Sequence, residues 1–281
     1  MDVSSEFSKV FATGSSASEA VRHTILPRVI YEYIPEKDQD EYPAFFQQIV
    51  NLDDAGDYED RFTPLDDGVN RIDPLNRITY SITNSFTAKS ADPPDDGSEE
   101  TATARYNDFL RIKLEQYYDI REARGSDRVD PERKRPFSPI RAELEYAPAR
   151  YLRLNADAEY DVYDNRLVTR NVSATLNSPR GDEFYLRYRY DKGDYHFYRK
   201  DDTVDDIESI YGRLRLKLPF RFTVYGSNEY DLEENERIET IVGLVYEAQC
   251  WSFDVRYKDE DDDKEISFMF NLYGLGSIGL Q

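Results

Sequence analysis

The side chains able to do chemistry are plentiful in this chain, but their spacing organises none of them. With 57 Asp and Glu residues, carboxylate pairs arise everywhere by chance, so no pair stands out as the acid and nucleophile of a glycosidase-like site. His23 and His196 stand far apart and Cys250 has no second cysteine, so zinc-ligand spacing is missing and both imidazoles are expected to be structural or solvated. The acidic run Asp259 to Asp263 resembles a calcium loop in charge only. It lacks the glycine and the spaced oxygen ligands of an EF-hand and reads as a solvated hairpin loop. Asn171-Val172-Ser173 has the pattern of a glycosylation sequon but falls inside a predicted strand. The expectation is a protein with no catalytic residue, no metal site and no cofactor.

Charge and composition narrow the class. The 36 Lys and Arg against 57 Asp and Glu give a formal charge of −21, which disfavours nucleic-acid binding, because phosphate recognition draws on clustered Lys and Arg. The longest stretch free of charge, Ile266 to Gln281, contains Gly274, Gly276 and Gly279 and falls short of the roughly 18–20 apolar residues of a spanning helix. Yet 23 Tyr and an aromatic content of 14% are foreign to acidic disordered chains, so the chain is expected to fold. A single cysteine excludes an internal disulfide. The N-terminus lacks the basic start and apolar core of a secretory signal, so an exported protein would need sequence beyond this chain.

The elements that position these residues are read from period-two alternation, the mark of strands with two chemically different faces. Phe184, Leu186, Tyr188 and Tyr190 alternate with Glu183, Tyr185, Arg187 and Arg189, and Leu152, Leu154, Ala156 and Ala158 with Arg153, Asn155, Asp157 and Glu159. About twelve strands are predicted, at 22–34, 75–88, 103–119, 138–147, 150–162, 166–178, 182–191, 207–218, 220–233, 236–247, 250–258 and 264–275. Many reach the roughly 9–11 residues of a tilted membrane-crossing strand, beyond the 5–6 typical of soluble sheets. Tight connections, as at Ala147 to Arg150, Ser178 to Gly181 and Leu218 to Arg221, roughly alternate with long charged ones, Glu36 to Leu75, Ile120 to Ser138 and Lys192 to Asp206. In an up-and-down barrel the two kinds lie at opposite ends. The connections after Asp161 and near Glu234 depart from that scheme, being short and polar without Gly or Pro.

Two architectures fit. In an antiparallel up-and-down transmembrane β-barrel, Arg153, Asp157, Arg187, Arg189, Arg213 and Arg215 would line a watery lumen, since an Arg turned to lipid near the midplane costs roughly 2–4 kcal/mol. A soluble acidic β-sandwich acting as a surface-binding module gives the same alternation with one wet face. Strand length, strand number and abundant Tyr, suited to interfacial girdles, favour the barrel. The two part on where the apolar face lies: around the outside, or buried in a core.

Three segments then carry a resemblance. HTILPRVIYEYIPEKDQDEYPAFF, with Pro27, Tyr31, Tyr33, Pro35, Gln39, Pro43 and Phe45 in order, resembles a strand and loop of the C-terminal barrel of the LptD family of lipopolysaccharide-assembly proteins. LNRITYSITNSF resembles that family's next strand, and VYEAQCWSFDVRY with FMFNLYGLGSIG its two closing strands. The resemblance implies that 1–281 is the C-terminal half of a larger barrel, without the family's periplasmic domain and N-terminal barrel strands. Many members carry two adjacent cysteines where this chain has Gln249, Cys250 and Trp251, and the family uses cysteines there to tie the barrel to the periplasmic domain. A buried, inert thiol is the alternative for Cys250.

The resemblance also implies a function: a non-catalytic translocon of the bacterial outer membrane that inserts lipopolysaccharide into the outer leaflet. Its partners would be lipopolysaccharide, a plug lipoprotein like LptE, a periplasmic bridge protein reached through the N-terminal domain, the barrel assembly machinery and the lipid bilayer, with no nucleic acid. Acyl chains would leave through a lateral gate, one lip of which is the expected last strand Ile266 to Leu275. There Ile266, Phe268, Phe270 and Leu272 share a face, and Gly274 weakens the end.

Overall fold

A computed structural model describes residues 1–15, 18–37, 46–52, 58–64, 74–91, 104–125, 134–192, 195–196, 199–200, 206–260, 263–273 and 276–280. The strands are β1 (Asp2–Ser4), β2 (Phe7–Ser15), β3 (Ser18–Ile34), β4 (Phe46–Leu52), β5 (Tyr58–Pro64), β6 (Leu75–Ala91) and β7 (Ala104–Asp119). A short helix α1 (Ile120–Arg124) follows. Then come β8 (Ile140–Ala149), β9 (Leu152–Asp161), β10 (Arg166–Asn177), β11 (Glu183–Asp191), β12 (Tyr195–His196), β13 (Arg199–Lys200), β14 (Ile207–Lys217), β15 (Phe222–Asp231), β16 (Glu236–Glu247), β17 (Trp251–Glu260), β18 (Asp263–Leu272) and β19 (Gly276–Leu280). The fold is all-β. Fifteen strands form one sheet in the order β1-β3-β6-β7-β8-β9-β10-β11-β14-β15-β16-β17-β18-β19, with β2 also on β3. From β7 to β19, with only the β12–β13 hairpin set aside, neighbours follow one another in sequence and run antiparallel, the up-and-down connection that the alternation predicts.

Each of the twelve predicted strands is present, and the sheet gains three more, β1, β2 and β19. The first two escape the period-two signal because both of their faces are exposed, Phe7, Val10 and Phe11 included. The segment 264–275 is corrected as the terminal strand: β18 stops at Leu272, and β19 pairs beyond it, Phe268 with Leu280, Phe270 with Ile278 and Leu272 with Gly276. Gly274 lies outside the described residues.

Two compact units are distinguishable: Met1–Val3, Val29–Tyr80 and Tyr117–Phe137, and Ser4–Arg28, Ser81–Gln116 and Ser138–Gln281. The first holds elements inside what the sequence presents as loops. The β4–β5 ladder occupies part of Glu36 to Leu75. In Ile120 to Ser138, Asp119 caps α1 by accepting from the backbone N–H of Arg121 and Glu122, and Gly125 ends it in the left-handed region, φ 75°, where a side chain would be strained. Residues 38–45, which carry part of the family resemblance, lie outside the described residues.

In the second unit, tight connections at 149–151, 178–182, 218–221 and 248–250 join strands at one end of the sheet, and 162–165, 192–206 and 232–235 join them at the other. The two turns that lacked Gly or Pro prove to be one device used twice. In Tyr160-Asp161-Val162-Tyr163-Asp164-Asn165, the Asp161 carboxylate accepts from the N–H of Tyr163 and Asp164, and Asn165 takes φ 53°. In Tyr230-Asp231-Leu232-Glu233-Glu234-Asn235, Asp231 accepts from Glu233 and Glu234, and Asn235 takes φ 56°. The hydroxyls of Tyr160 and Tyr230 reach Asn165 and Asn235. Both turns lead into a β-bulge, between Leu167 and Thr169 and beside Tyr230, which strengthens local twist. Asn replaces Gly because its short polar side chain tolerates the left-handed region.

A third turn is pinned by charge. Asp182 accepts from Ser178 Oγ at 2.8 Å and from the Lys217 backbone N–H at 2.8 Å, with Arg180 at 2.7 Å. The Arg180 hydrogen bond first, then those from Lys217 and Ser178, lower its carboxyl from 3.8 to about 2. Because the folded value is the lower one, the support Asp182 gives the β10–β11 hairpin is complete above about pH 4 and is lost as pH falls through about 2. Unfolding midpoints measured between pH 5 and 2 should therefore fall less steeply in Asp182→Asn than in the unsubstituted protein. Equal slopes would rule this out.

Candidate functional site: a charged face backed by an apolar one

Register assigns side chains to faces, because residues directly opposite one another on paired strands share a side. One row runs Leu152, Leu176, Phe184, Leu214, Gly226, Val242, Tyr257, Ile266 from β9 to β18. Among the described residues of the unit nothing covers this apolar face. Val242 is 52% exposed, Val172 51%, Phe268 45% and Ile266 58%, while Val168 is the one buried hydrophobic residue among the described residues. A soluble sandwich would bury these side chains in a core.

Aromatic residues collect at both ends of the apolar face. At the tight-turn end Phe222, Tyr246, Trp251 and Phe270 stack in series, with ring centroids 5.0, 5.4 and 5.3 Å apart. At the other end stand Tyr160, Tyr188, Tyr190 and Tyr230, with the Arg170 guanidinium 4.3 Å over the Tyr190 ring. Tyr230 stands eight steps along the strand from Phe222, about 27 Å, or about 21 Å along the membrane normal at a ~40° tilt. That approaches the roughly 25 Å apolar band with aromatic girdles of outer-membrane barrels.

The opposite face is polar and rich in charge. Arg111 lies 2.7 Å from Glu145, Arg213 2.6 Å from Glu183, Lys217 3.2 Å from Glu247 and Lys258 3.2 Å from Glu239, its ammonium shared with the Glu260 carboxylate. Such half-exposed pairs contribute about 0–1 kcal/mol each, so they describe a wetted wall rather than a source of stability. All six residues expected on a polar face are on this one: Arg153 opposite Thr175, Asp157 opposite Asn171, Arg189 opposite Asn171 and Ser209, Arg187 opposite Tyr211, Arg213 opposite Tyr185, Arg215 opposite Glu183. The alternation already placed Tyr185 among them, but neither Tyr211 nor the stacking of arginines on the two rings was legible in it. The Arg187 and Arg213 guanidinium groups sit 5.2 and 5.5 Å over the rings of Tyr211 and Tyr185, giving an Arg–Tyr checkerboard across β11 and β14.

The remaining candidates are placed as follows. Ile266, Phe268, Phe270 and Leu272 of β18 share the apolar face, opposite Tyr257, Val255, Phe253 and Trp251. Cys250 is a free, exposed thiol in the β16–β17 turn at the tight-turn end, which corrects the alternative of a buried thiol. Asp259 is corrected as well: it belongs to β17, where it is nearly buried and pairs with Arg237 at 3.1 Å, while Asp261 and Asp262 lie outside the described residues. His23 stacks on Phe86, centroids 4.2 Å apart, with Nε2 3.0 Å from Asn84 Oδ1, a structural setting. The side chain of His196 is outside the description. Among the described residues no three His, Cys, Asp or Glu side chains gather to hold a metal ion.

Comparison with known proteins agrees with this two-faced sheet. The family LptD, LPS transport system D, matches residues 1–222, from β1 to the start of β15. The chain is 25% identical over 282 residues to LPS-assembly protein LptD of Hahella chejuensis, covering 95% of this chain and 31% of that protein. Identity is 23% over 266 residues to the Aeromonas salmonicida protein of that name (91% and 31%) and 23% over 279 residues to that of Escherichia coli K12 (90% and 33%). The chain thus spans about a third of the length of these relatives. Since the match takes in most of the strands that build both faces, this chain belongs to the LptD family of lipopolysaccharide transport and assembly proteins.

Proposed function

We propose that this chain forms the C-terminal part of an outer-membrane translocon that inserts lipopolysaccharide into the outer leaflet, binding and guiding it without a catalytic step. The observation that carries the reading is the division of the sheet. An exposed aliphatic band between two aromatic belts suits contact with acyl chains, and a face rich in charge suits the passage of a hydrated glycan with its phosphates. In this reading the tight-turn end faces the periplasm, as short turns do in outer-membrane barrels, and brings Cys250 to the side where a periplasmic domain would lie.

The partners that follow are lipopolysaccharide, a plug lipoprotein like LptE on the charged face, a periplasmic bridge protein docking on a domain outside this chain, and the assembly machinery that inserts barrels into the bilayer. The lateral gate falls to β18 and β19 together. Five-residue β19 pairs only with the Phe268 to Leu272 half of β18, so the Asp263 to Ser267 half has no strand beside it on that edge among the described residues. An edge so thinly paired is the natural place for acyl chains to cross. The soluble surface-binding module is the weaker reading, because it would leave Val172, Val242 and Ile266 in water.

The test is to express the protein from its full gene and follow it through membrane fractionation and gel migration with and without heating. The expected result is recovery in the outer membrane, heat-modifiable migration, and loss of surface lipopolysaccharide on depletion. Recovery in the soluble fraction with no shift on heating would overturn the reading.

A further inference from the structure

The charged face is not uniform. Arg111, Arg141, Arg213, Lys217 and Lys258 each lie within 3.2 Å of a carboxylate oxygen. Arg187 and Arg189 are held more loosely, at 3.5 Å from Glu229 and 3.7 Å from Asp191. These two line a concave pocket of about 370 Å³ across β9, β10 and β11, together with Asp157, Asn171, Ser173 and Tyr185. Its one carboxylate is already engaged, since Asn171 Nδ2 donates to Asp157 at 2.8 Å. That bond leaves Asn171 Oδ1 buried without a donor, and Arg187 Nε is also buried without an acceptor. Both atoms are sealed from the surface, so what the pocket offers a ligand is the two half-exposed guanidinium groups and the Ser173 hydroxyl, which suit one that both accepts from arginine and donates to a hydroxyl.

A phosphorylated sugar has both functions. Residues two apart on a strand lie about 6.8 Å apart, close enough for two guanidinium forks to share one phosphate. Stacking on Tyr211 holds the Arg187 fork in place beforehand. The Tyr185 ring offers a flat apolar surface to a sugar face, and Ser173 offers a partner to its hydroxyls. In a chain of net charge −21, the lining of this pocket carries two cations against one carboxylate, the reverse of the chain's excess of acid, and the Glu229 and Asp191 contacts are long enough for a phosphate to compete with them.

We propose that the Arg187–Arg189 pocket is a binding subsite for a phosphorylated sugar, its phosphate held by the two guanidinium groups and its ring flanked by Tyr185, Asn171 and Ser173. The proposal rests on the translocon reading insofar as it takes the charged face to meet the glycan part of lipopolysaccharide.

The test uses the full-length protein in detergent and three probes: the phosphorylated core oligosaccharide released from lipopolysaccharide, the same oligosaccharide after dephosphorylation, and inorganic phosphate. The intact protein is expected to bind the phosphorylated oligosaccharide about 10–100-fold more tightly than either of the others, the range that one or two charge-assisted contacts provide. Arg187→Gln with Arg189→Gln should abolish that preference, Arg187→Lys should weaken it, and Lys258→Gln should leave it within about twofold. Retained heat-modifiable migration would certify that the variants are folded. Equal affinity for the two oligosaccharides would overturn the proposal, as would an equal loss in Lys258→Gln, which would trace binding to the general field. Inorganic phosphate binding as tightly as the phosphorylated oligosaccharide would overturn the sugar part. Surface lipopolysaccharide after depletion reports on the translocon reading independently: a drop without discrimination between probes sinks the pocket alone, and discrimination without a drop sinks the translocon alone.

Discussion

Replacing Gly243 by valine is expected to cost this protein more stability than any other single substitution on the charged face. Tyr225 of β15 lies directly opposite Gly243 of β16, and instead of standing away from the sheet its ring lies over the glycine. The hydroxyl thereby crosses a whole strand and donates to Asp254 on β17, 2.9 and 3.0 Å from the two carboxylate oxygens. One side chain ties three strands. A Cβ at position 243 would fall inside the van der Waals envelope of Tyr225 Cζ, Oη and Cε1. The obstacle is the outer end of a planar ring, which must swing away from the strand, and with it goes a hydrogen bond to a charged group. Overpacking and the lost bond together are worth about 3–5 kcal/mol. The expected observation is a marked fall in the temperature at which the heat-modifiable form converts, with Gly243→Ala intermediate. Coupling is the sharper measurement: in a Tyr225→Ala background the ring is gone, so Gly243→Ala should add little. If Gly243→Val converts at the unsubstituted temperature, the strap does not hold the strands.

That contact also marks the limit of what the sequence discloses. Which face a residue takes is local information, because side chains alternate along any strand, and so the alternation around Arg187 and Leu186 was enough to assign both. Which partner a residue meets depends on register between strands far apart in the chain. Nothing near Arg187 announces Glu229, 42 residues on, and nothing near Tyr225 announces Asp254. The long Arg187–Glu229 contact, at one side of the pocket, is of this non-local kind. Other features were written locally but in unfamiliar form. The Asp119 cap and Gly125 of α1 were visible as residue types inside a segment that reads as loop, and the repeated Tyr-Asp-x-x-x-Asn turns carry Asn where Gly is the usual signal. The glycine-containing β19 reads as a strand end and proves to be a strand.

A charge placed on the apolar face is expected to separate the membrane reading from every soluble one. Val242 stands in mid-strand on β16, 52% exposed, in the row between Gly226 and Tyr257, far from both aromatic belts. If hydrocarbon covers that face, Val242→Arg buries a guanidinium near the midplane at a cost of roughly 2–4 kcal/mol, a factor of about 30–900 in the insertion equilibrium. Leu232, in the turn beyond the long-loop belt, lies at a depth where the same change costs roughly 0–1 kcal/mol. Ser227, opposite Arg213 and Ile241 on the charged face, already stands among cations and carboxylates. Arginine there should cost about 0.5 kcal/mol or less. The three variants thus predict an order that follows depth and face: Val242→Arg is depleted from the outer membrane and loses its heat-modifiable band, Leu232→Arg is mildly affected, and Ser227→Arg is recovered as the unsubstituted protein. Because Val242 is solvent-accessible in the isolated chain, a water-soluble protein would tolerate arginine there as readily as at Ser227. Equal recovery of all three would therefore remove the lipid from the apolar face, and the lateral gate of β18 and β19 with it, whereas the graded order requires a hydrocarbon layer whose thickness matches the spacing of the two belts.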